Sequence, residues 1–501
     1  MTNQKILFVS DSLGTPIHAR GIFNFSYGIV QILKDLSFSV DLLVEPPTAG
    51  VYNRVARGAI DTLSTIQAKA VLADLFKHFQ GDRFSFEWHY PNRAFQRLCD
   101  EFPDLANLQL TIDDGRRVEA QKYLPADQDI FREFRGNLLT DHLLLFDGFV
   151  ISPRVYGESF RRAIHGVRPN IVDAAGYDYV FVDTPHCVDF INIPQEKIIF
   201  VVHDVIPLIE WMAYDWREMF VNKLSATAKA GRNGIFVSET TRSYFEELYP
   251  ALELTSSTII YPPVRKEVAN AAQIIGRKLK ADYIRDIADN KAAEFAGYAL
   301  KSSDQPAEVE RTRWRANKPA ASAMPTWNGD LPYFCTVLSD EPRKNITVLV
   351  EASKMLVGRA NIVVMGQING NAHMNERPEL FPNLHFTGYV SNGQKFDLLS
   401  ACEAFIFPSF SEGFGIPIIE AALFGAPIIC SDIPVFREVT DGKAAFFPPS
   451  DADALVAQIE RFLNDPAERD TGGALKSFAQ EAFVQSSLKG RLASIFAHEE
   501  V

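Results

Sequence analysis

Ser409–Ile429 reads SFSEGFGIPIIEAALFGAPII and sets two glutamates, Glu412 and Glu420, eight residues apart, with a glycine-studded turn and a proline between them. Pro417 suits the first turn of a helix and Gly425 its C-terminal stop, so the sequence predicts a helix over Pro417 to Phe424. Glu412 then lies in the preceding loop and Glu420 about one turn inside the helix, an arrangement unlike two carboxylates flanking one bond. Gly413 and Gly415 let backbone approach a ligand closely, and the N–H groups of Phe414, Gly415 and Ile416 form a helix-start site for an anion. A ligand with phosphate in its middle and hydroxyls at both ends fits this spacing. A nucleotide-sugar has that shape.

Working outward, LPYFCTVLSD, ANIVVMGQ, LHFTGYVS, EAFIFPSF and APIICSD are short apolar strands, separated by helical runs such as NITVLVEASKML and KFDLLSACE. Alternation of this kind implies a doubly wound sheet with ligand loops at the strand C-terminal ends. Ser339–Asn345, SDEPRKN, follows the strand YFCTVL. In it Arg343 offers a planar fork for phosphate oxygens and Lys344 a compact charge.

The first half carries a second set. KILFVSDSLG, GIFNFSYGIVQILKDL and SVDLLVE read as a β-α-β opening, and strand-like runs return at YDYVFVDTP, KIIFVVHDVIP and NGIFVSETT. Helical stretches at YGESFRRAIH and DWREMFVNKLSATAKA alternate with them. The sequence thus predicts an N-terminal domain over 1–264 with an insertion around 50–140, a charged helical insertion and linker over 265–330, a C-terminal domain over 331–478 and a last helix over 479–501.

The chain has 501 residues, 47% of them apolar, enough for two domains each with a core. A net charge of −13 argues against nucleic acid as a partner. The five cysteines are scattered, with no CxxC pair, which indicates neither a disulfide framework nor a zinc site and suits a reducing cytoplasm. MTNQKILFVSDSLG lacks the apolar core of a signal peptide, and no run is long enough for a membrane helix, so membrane contact is expected to be peripheral, at the inner face.

EPRKN, VVMGQ, HFTGYVS and above all PSFSEGFGIPIIEAALFGAPIICSDIPVFREV closely resemble the donor domain of retaining GT-B glycosyltransferases of the family 4 type. The similarity is clear over roughly 330 to 465. It is fainter over the first half, where RGIFNFSYGIVQIL, VVHDVIP and GIFVSETTRSYF look like acceptor-domain landmarks. FVQSSLKGRLASIF resembles the C-terminal helix that crosses back to the first domain. The resemblance implies two Rossmann-like domains. It also implies transfer of a sugar from a nucleotide-sugar donor to a saccharide or lipid-linked acceptor, with retention and without a metal or other cofactor.

Carried over by position, it makes Arg343 and Lys344 a diphosphate clamp, Glu420 the partner of the ribose hydroxyls and Glu412 a contact of the donor sugar. The amides of Phe414, Gly415 and Ile416, beside Gly413, would lie near sugar and phosphate; Tyr389 and Val390 would border the base. His203 would face the donor sugar, and Gly21 would sit in the first loop near the acceptor. The one tempting Asp-x-Asp turn, Asp451-Ala-Asp453, better fits a helix start than a metal site. The wording of HDVIP and EPRKN is most like bacterial mannosyl-type members acting on cell-surface polysaccharides, which puts GDP-mannose first as donor and a UDP-sugar second. A nucleotide-sugar epimerase of related shape and a catalytically decayed, transferase-like binding subunit are the alternatives; the first would convert donor without acceptor, the second would bind donor without turnover.

Overall fold

The computed structural model describes residues 4–10, 21–44, 116–119, 142, 145–151, 172–186, 188, 191–210, 217–275, 331–339, 341–366, 381–388, 390, 392–469 and 471–496. The chain divides into two units, one of Met1–Val237, Thr241–Pro262 and Lys489–Val501, the other of Ser238–Thr240 and Pro263–Leu488.

In the first unit, β1 (Lys5–Val9), α1 (Gly21–Asp35) and β2 (Ser39–Val44) form the expected β-α-β opening. There follow β3 (Arg116–Glu119), β4 (Gly148–Ile151), β5 (Val172–Asp173), β6 (Tyr179–Val182), β7 (Ile191–Asn192), β8 (Ile198–Val202), β9 (Asn233–Phe236) and β10 (Ser256–Ile259). The main sheet has the order β10-β9-β8-β6-β1-β2-β4-β3, while β5 and β7 pair separately. It is parallel except where β3 runs against β4. Ile6, Leu7, Phe8 and Val9 are wholly buried, as the unbroken apolar run requires of a parallel strand covered on both faces. Phe8 stacks on Phe181 of β6 with ring centroids 5.2 Å apart. Strand order reverses between β1 and β6, so the loops leaving these two strands border a crevice.

Of the 50–140 elaboration, only β3 lies among the described residues, and the helical stretch read at 156–165 lies outside them. Gly21 corrects one sequence expectation. The resemblance places it in the first loop, but it is the exposed first residue of α1, where the helical spacing of GIFNFSYGIVQILKDL begins.

The second unit contains α2 (Lys266–Ile275), β11 (Tyr333–Val337), α3 (Ile346–Met355), β12 (Asn361–Met365), β13 (Leu384–Gly388), α4 (Asn392–Ala401), β14 (Phe405–Phe407), α5 (Ile416–Leu423), β15 (Ile428–Ser431), β16 (Ala445–Phe447), α6 (Ala452–Asn464), α7 (Thr471–Ala482) and the first turn of α8 (Gln485–Phe496). Its all-parallel sheet runs β13-β12-β11-β14-β15-β16. Numbered within the unit this is 3-2-1-4-5-6, the dinucleotide-binding order, and its reversal falls between β11 and β14. The strand β16 goes unread in the sequence because its three residues run into Pro448 and Pro449 and look like loop.

The helix α5 starts and ends one residue earlier than predicted, with Gly425 at φ 77° closing it as expected. A Cβ on Gly472 of α7 would fall 2.2 Å from the Gly425 carbonyl oxygen, which shows how tightly α7 seats behind α5. From the charged 265–330 stretch, α2 packs on α4 and α5; the part beyond residue 275 lies outside the described residues.

The chain passes into the first unit at Leu488–Lys489, inside α8 and about ten residues beyond the boundary read from the sequence. Its end is anchored there by Phe496 against Phe38 and Tyr179, with ring centroids 4.6 and 4.9 Å apart, and by Lys489 Nζ donating to the Asp35 carbonyl at 2.7 Å. No helix among the described residues is long and apolar enough to cross a membrane.

Candidate functional site

The reversal of strand order in the second unit brings two loops side by side. One leaves β11 and carries SDEPRKN; the other leaves β14 and carries PSFSEGFG. Backbone and side chain stitch them together: the Phe410 N–H donates to the Arg343 carbonyl at 2.8 Å, and Asn345 Nδ2 donates to the carbonyls of Pro408 at 3.0 Å and Pro449 at 2.7 Å. Asn345 reaches both because its backbone is left-handed, φ 55° and ψ 47°, a conformation asparagine tolerates better than most residues. It thereby ends the short Pro342–Lys344 turn and opens α3.

This stitching aims two cations at one carboxylate. Arg343 Nη1 lies 2.8 Å from Glu412 Oε2, and Lys344 Nζ lies 2.5 Å from Glu412 Oε1. Arg343 Nε is also held by Glu341 at 2.8 Å, and its Nη1 donates to the Ser411 carbonyl at 3.2 Å. Burial pushes the Glu412 carboxyl up, but the charges of Lys344 and then Arg343, with hydrogen bonds, outweigh it and hold the group down at about 2. Glu412 is therefore a carboxylate at every ordinary pH.

Immediately after it, Gly415 takes φ 110° at the N-terminus of α5, with Pro417 in the first turn. Phe414 is buried edge-on against Phe483, whereas Gly413 and Ile416 are half-buried. The first amides of a helix have no partner within it and carry the positive end of its dipole. Glu420 is buried within α5, and its Oε2 accepts from Lys395 Nζ of α4 at 2.8 Å. At the far side of the sheet, the Gly366 N–H donates to the Gly388 carbonyl at 2.9 Å, pinning the ends of β12 and β13. A Cβ at Gly366 would fall 2.0 Å from the Leu338 carbonyl oxygen, so only glycine fits. Val390 follows β13 half-buried; Tyr389 lies outside the described residues. Asp451 caps α6, accepting from the Ala454 N–H at 2.8 Å, as the helix-start reading of Asp451-Ala-Asp453 expects.

In the first unit, His203 follows β8, and its Nε2 lies 2.7 Å from the carbonyl oxygen of Asp183, at the end of β6. A carbonyl only accepts, so this nitrogen carries the proton. The ring meets Phe25 of α1 edge-on at 4.9 Å. Asp183 is wholly buried; its Oδ2 accepts from Ser10 Oγ at 3.0 Å and its Oδ1 lies 3.6 Å from His203 Nε2. Ser10 and Asp183 thus mark the two strands where order reverses. Asp204 accepts from the Ile206 N–H at 3.1 Å at the start of the next short helix.

The structure therefore brings Arg343, Lys344 and Glu412 into one cluster and sets Glu420 one helix turn behind the glycine turn. Sequence reasoning passed over Asn345, Lys395, Ser10 and Asp183. Asparagine directly before an apolar helical run signals a cap, but the Asn345 side chain makes no cap hydrogen bond and serves Pro408 and Pro449 instead. Asp183 sat at the end of a strand already recognised, where ligand loops begin.

Two doubly wound sheets, the second with a cation cluster and a helix N-terminus at its reversal point, define a GT-B architecture. Sucrose-phosphate synthase from Thermosynechococcus elongatus shares that fold over 99% of both chains with a TM-score of 0.53 at 14% identity. So does HepE of Anabaena, solved with UDP and glucose, over 99% of this chain and 100% of that one, with a TM-score of 0.52 at 12% identity. Residues 317–475 match the family described as glycosyl transferases group 1. The chain is 31% identical over 156 residues to O-antigen chain mannosyltransferase B of Escherichia coli, covering 30% of this chain and 40% of that protein. It is 25% identical over 295 residues to the serotype-specific mannosyltransferase WbdA of Escherichia coli, covering 55% of this chain and 30% of that protein. The chain thus spans well under half the length of these curated relatives.

Proposed function

We propose that the chain is a retaining hexosyltransferase that moves a sugar from a nucleoside-diphosphate-sugar to a saccharide or lipid-linked saccharide acceptor in cell-surface polysaccharide synthesis, without a metal ion. The observation that carries this reading is the Arg343–Lys344–Glu412 cluster beside the N-terminus of α5. Breaking a sugar–phosphate bond leaves negative charge on the departing diphosphate and positive charge on the sugar ring. Arg343, Lys344 and the first amides of α5 meet the former, and preorganised donors of this kind act without reorganising during the reaction. The Glu412 carboxylate meets the latter. Under retention, the acceptor oxygen bonds the anomeric carbon on the face the phosphate leaves, and the departing phosphate oxygen takes the acceptor's proton. His203, with Nε2 committed to Asp183, has Nδ1 for a sugar hydroxyl.

GDP-mannose is the first donor candidate, supported by mannosyltransferases among the relatives, and a UDP-sugar is the second. Peripheral attachment at the inner face of the membrane would suit a lipid-linked acceptor. Thermal unfolding across a panel of nucleotide-sugars tests the donor, since a ligand of the folded state raises the apparent melting temperature by mass action. One GDP- or UDP-sugar is expected to stand out. Transfer assays with excess chelator are expected to run at unchanged rate; strict dependence on added Mg²⁺ or Mn²⁺ would overturn the metal-free clamp.

A further inference from the structure

We infer that Lys395 is a positioning residue for ribose recognition: its ammonium, reaching from α4 to Oε2 of Glu420, fixes the carboxylate that selects a ribonucleotide over its deoxy counterpart. This rests on the reading of the site as a nucleotide-sugar site and adds to it a residue that touches neither phosphate nor sugar.

Lys395 and Glu420 stand on neighbouring helices, with side chains only 16% and 10% exposed and 2.8 Å between Nζ and Oε2. A carboxylate so far removed from water needs a cation or several donors, and among the described residues Lys395 is the one hydrogen-bond donor to it. None of them donates to Oε1, which leaves that oxygen to accept from a ligand hydroxyl. The pair is held in register by its surroundings. Phe396, next to Lys395, stacks on Phe424, the residue that ends α5, with ring centroids 4.9 Å apart and planes at 24°. Lys395 Nζ lies 5.6 Å from the Phe396 ring centroid. Neither helix therefore turns freely about its axis, and the carboxylate orientation is set before a ligand arrives.

Glu420 cannot supply this orientation alone. A glutamate has three rotatable side-chain bonds, and without an anchor its two oxygens sample several positions. Anchoring Oε2 commits Oε1 to one direction, which is what a vicinal diol requires if it is to be distinguished from the same ring lacking one hydroxyl. A hydrogen bond to a charged acceptor is among the stronger neutral–ion contacts, and a site built around it discriminates strongly against the analogue that leaves the acceptor unpaired.

The test is isothermal titration of GDP and UDP, each beside its 2′-deoxy and 3′-deoxy form, into the full chain carrying Lys395→Met, Lys395→Arg or no change. The unchanged protein is expected to prefer the better-bound ribonucleotide by on the order of tenfold or more over at least one deoxy form. In Lys395→Met, which keeps most of the apolar stem and removes the charge, that preference is expected to fall to about twofold while affinity for the deoxy form barely moves. Lys395→Arg is expected to restore most of the preference. Thermal unfolding of each variant accompanies the titrations. An unchanged ribose preference in Lys395→Met overturns the inference. Equal loss of affinity for both forms, with a lowered melting temperature, overturns it in favour of a purely structural ion pair. If the unchanged protein binds nucleotides with no ribose preference, the assignment of Glu420 falls and Lys395 with it. If it binds neither nucleotide, the nucleotide-sugar reading itself fails.

Discussion

Glu412 and Glu420 lie eight residues apart on one segment, yet they meet positive charge in different ways. Glu412 bridges two cations that emerge from a loop beyond a strand, and both sides of the cluster are tied to that loop by backbone contacts. Glu420 meets one cation across a helix pair whose packing is aromatic and stiff. In the proposed reaction this difference would separate two tasks. Loop cations whose partner is an internal carboxylate can redistribute when a more highly charged ligand enters. A helix-borne pair holds its shape whether or not a ligand is there, which suits recognition of a remote part of the donor.

The largest effect expected from this contrast is at the loop. Lys344→Ala should lower turnover by roughly 10²- to 10³-fold, as for loss of one preorganised charge-stabilising donor. Steady-state kinetics with the preferred nucleotide-sugar checks it, and a variant of near-normal turnover breaks the distinction between working loop and static helix.

Glu412→Gln comes next, with turnover expected to fall by roughly tenfold to a hundredfold, on the scale of a lost charge–charge contact near the reacting carbon. The same variant is expected to bind free nucleoside diphosphate roughly threefold or more tightly, because Arg343 and Lys344 lose the internal anion that competes for them. Weaker binding would show that Glu412 contacts the nucleotide itself. Its pH dependence sharpens the point. With the carboxyl at about 2 in the folded state against an ordinary 4.5, Glu412 contributes stability above about pH 4.5 and loses it as pH falls through 2. Lowering the pH between those limits should cost wild type roughly 3 kcal/mol more stability than it costs Glu412→Gln, as read by denaturant unfolding at each pH.

Glu420→Ala is expected to weaken donor and free nucleoside diphosphate alike, by on the order of tenfold, with turnover at saturation little changed. Titration and kinetics run together decide it; a fall in turnover without a change in nucleotide affinity would reverse the roles of the two glutamates. The smallest effect belongs to a carboxylate outside the contrast. Asp451→Ala removes the cap of α6 and should lower stability by about 1 kcal/mol while kinetics stay normal, with and without chelator. A kinetic defect there would reopen the Asp-x-Asp turn as part of the site.

Much of this was legible along the chain because it is local. An apolar run ending in SDEPRKN or PSFSEGFG announces a buried strand and its loop, and glycine and proline at fixed offsets mark where α5 begins and stops. What stayed hidden arises between segments far apart in sequence. Lys395 looks like any solvated helix lysine until α4 and α5 are laid side by side. The bridging of Arg343 and Lys344 by Glu412 depends on β11 and β14 being neighbours, which strand order decides and residue pattern does not. Gly21 came to the first loop through the resemblance alone, whereas the apolar spacing of GIFNFSYGIVQILKDL already read as the helix that it begins. The strand β16 was lost because three residues before two prolines carry too little period to register.

One residue narrows what this site can be written with. At Asn345 the backbone conformation favours glycine, asparagine and aspartate, and the two carbonyls it serves demand a side chain with two N–H donors. Glycine meets the first condition and fails the second, glutamine reaches too far, and aspartate would set negative charge against two carbonyl oxygens. The position therefore has an alphabet of a single letter. A saturation library read out by growth or binding would register it as a near-blank column, although Asn345 touches no ligand group in the proposed reaction.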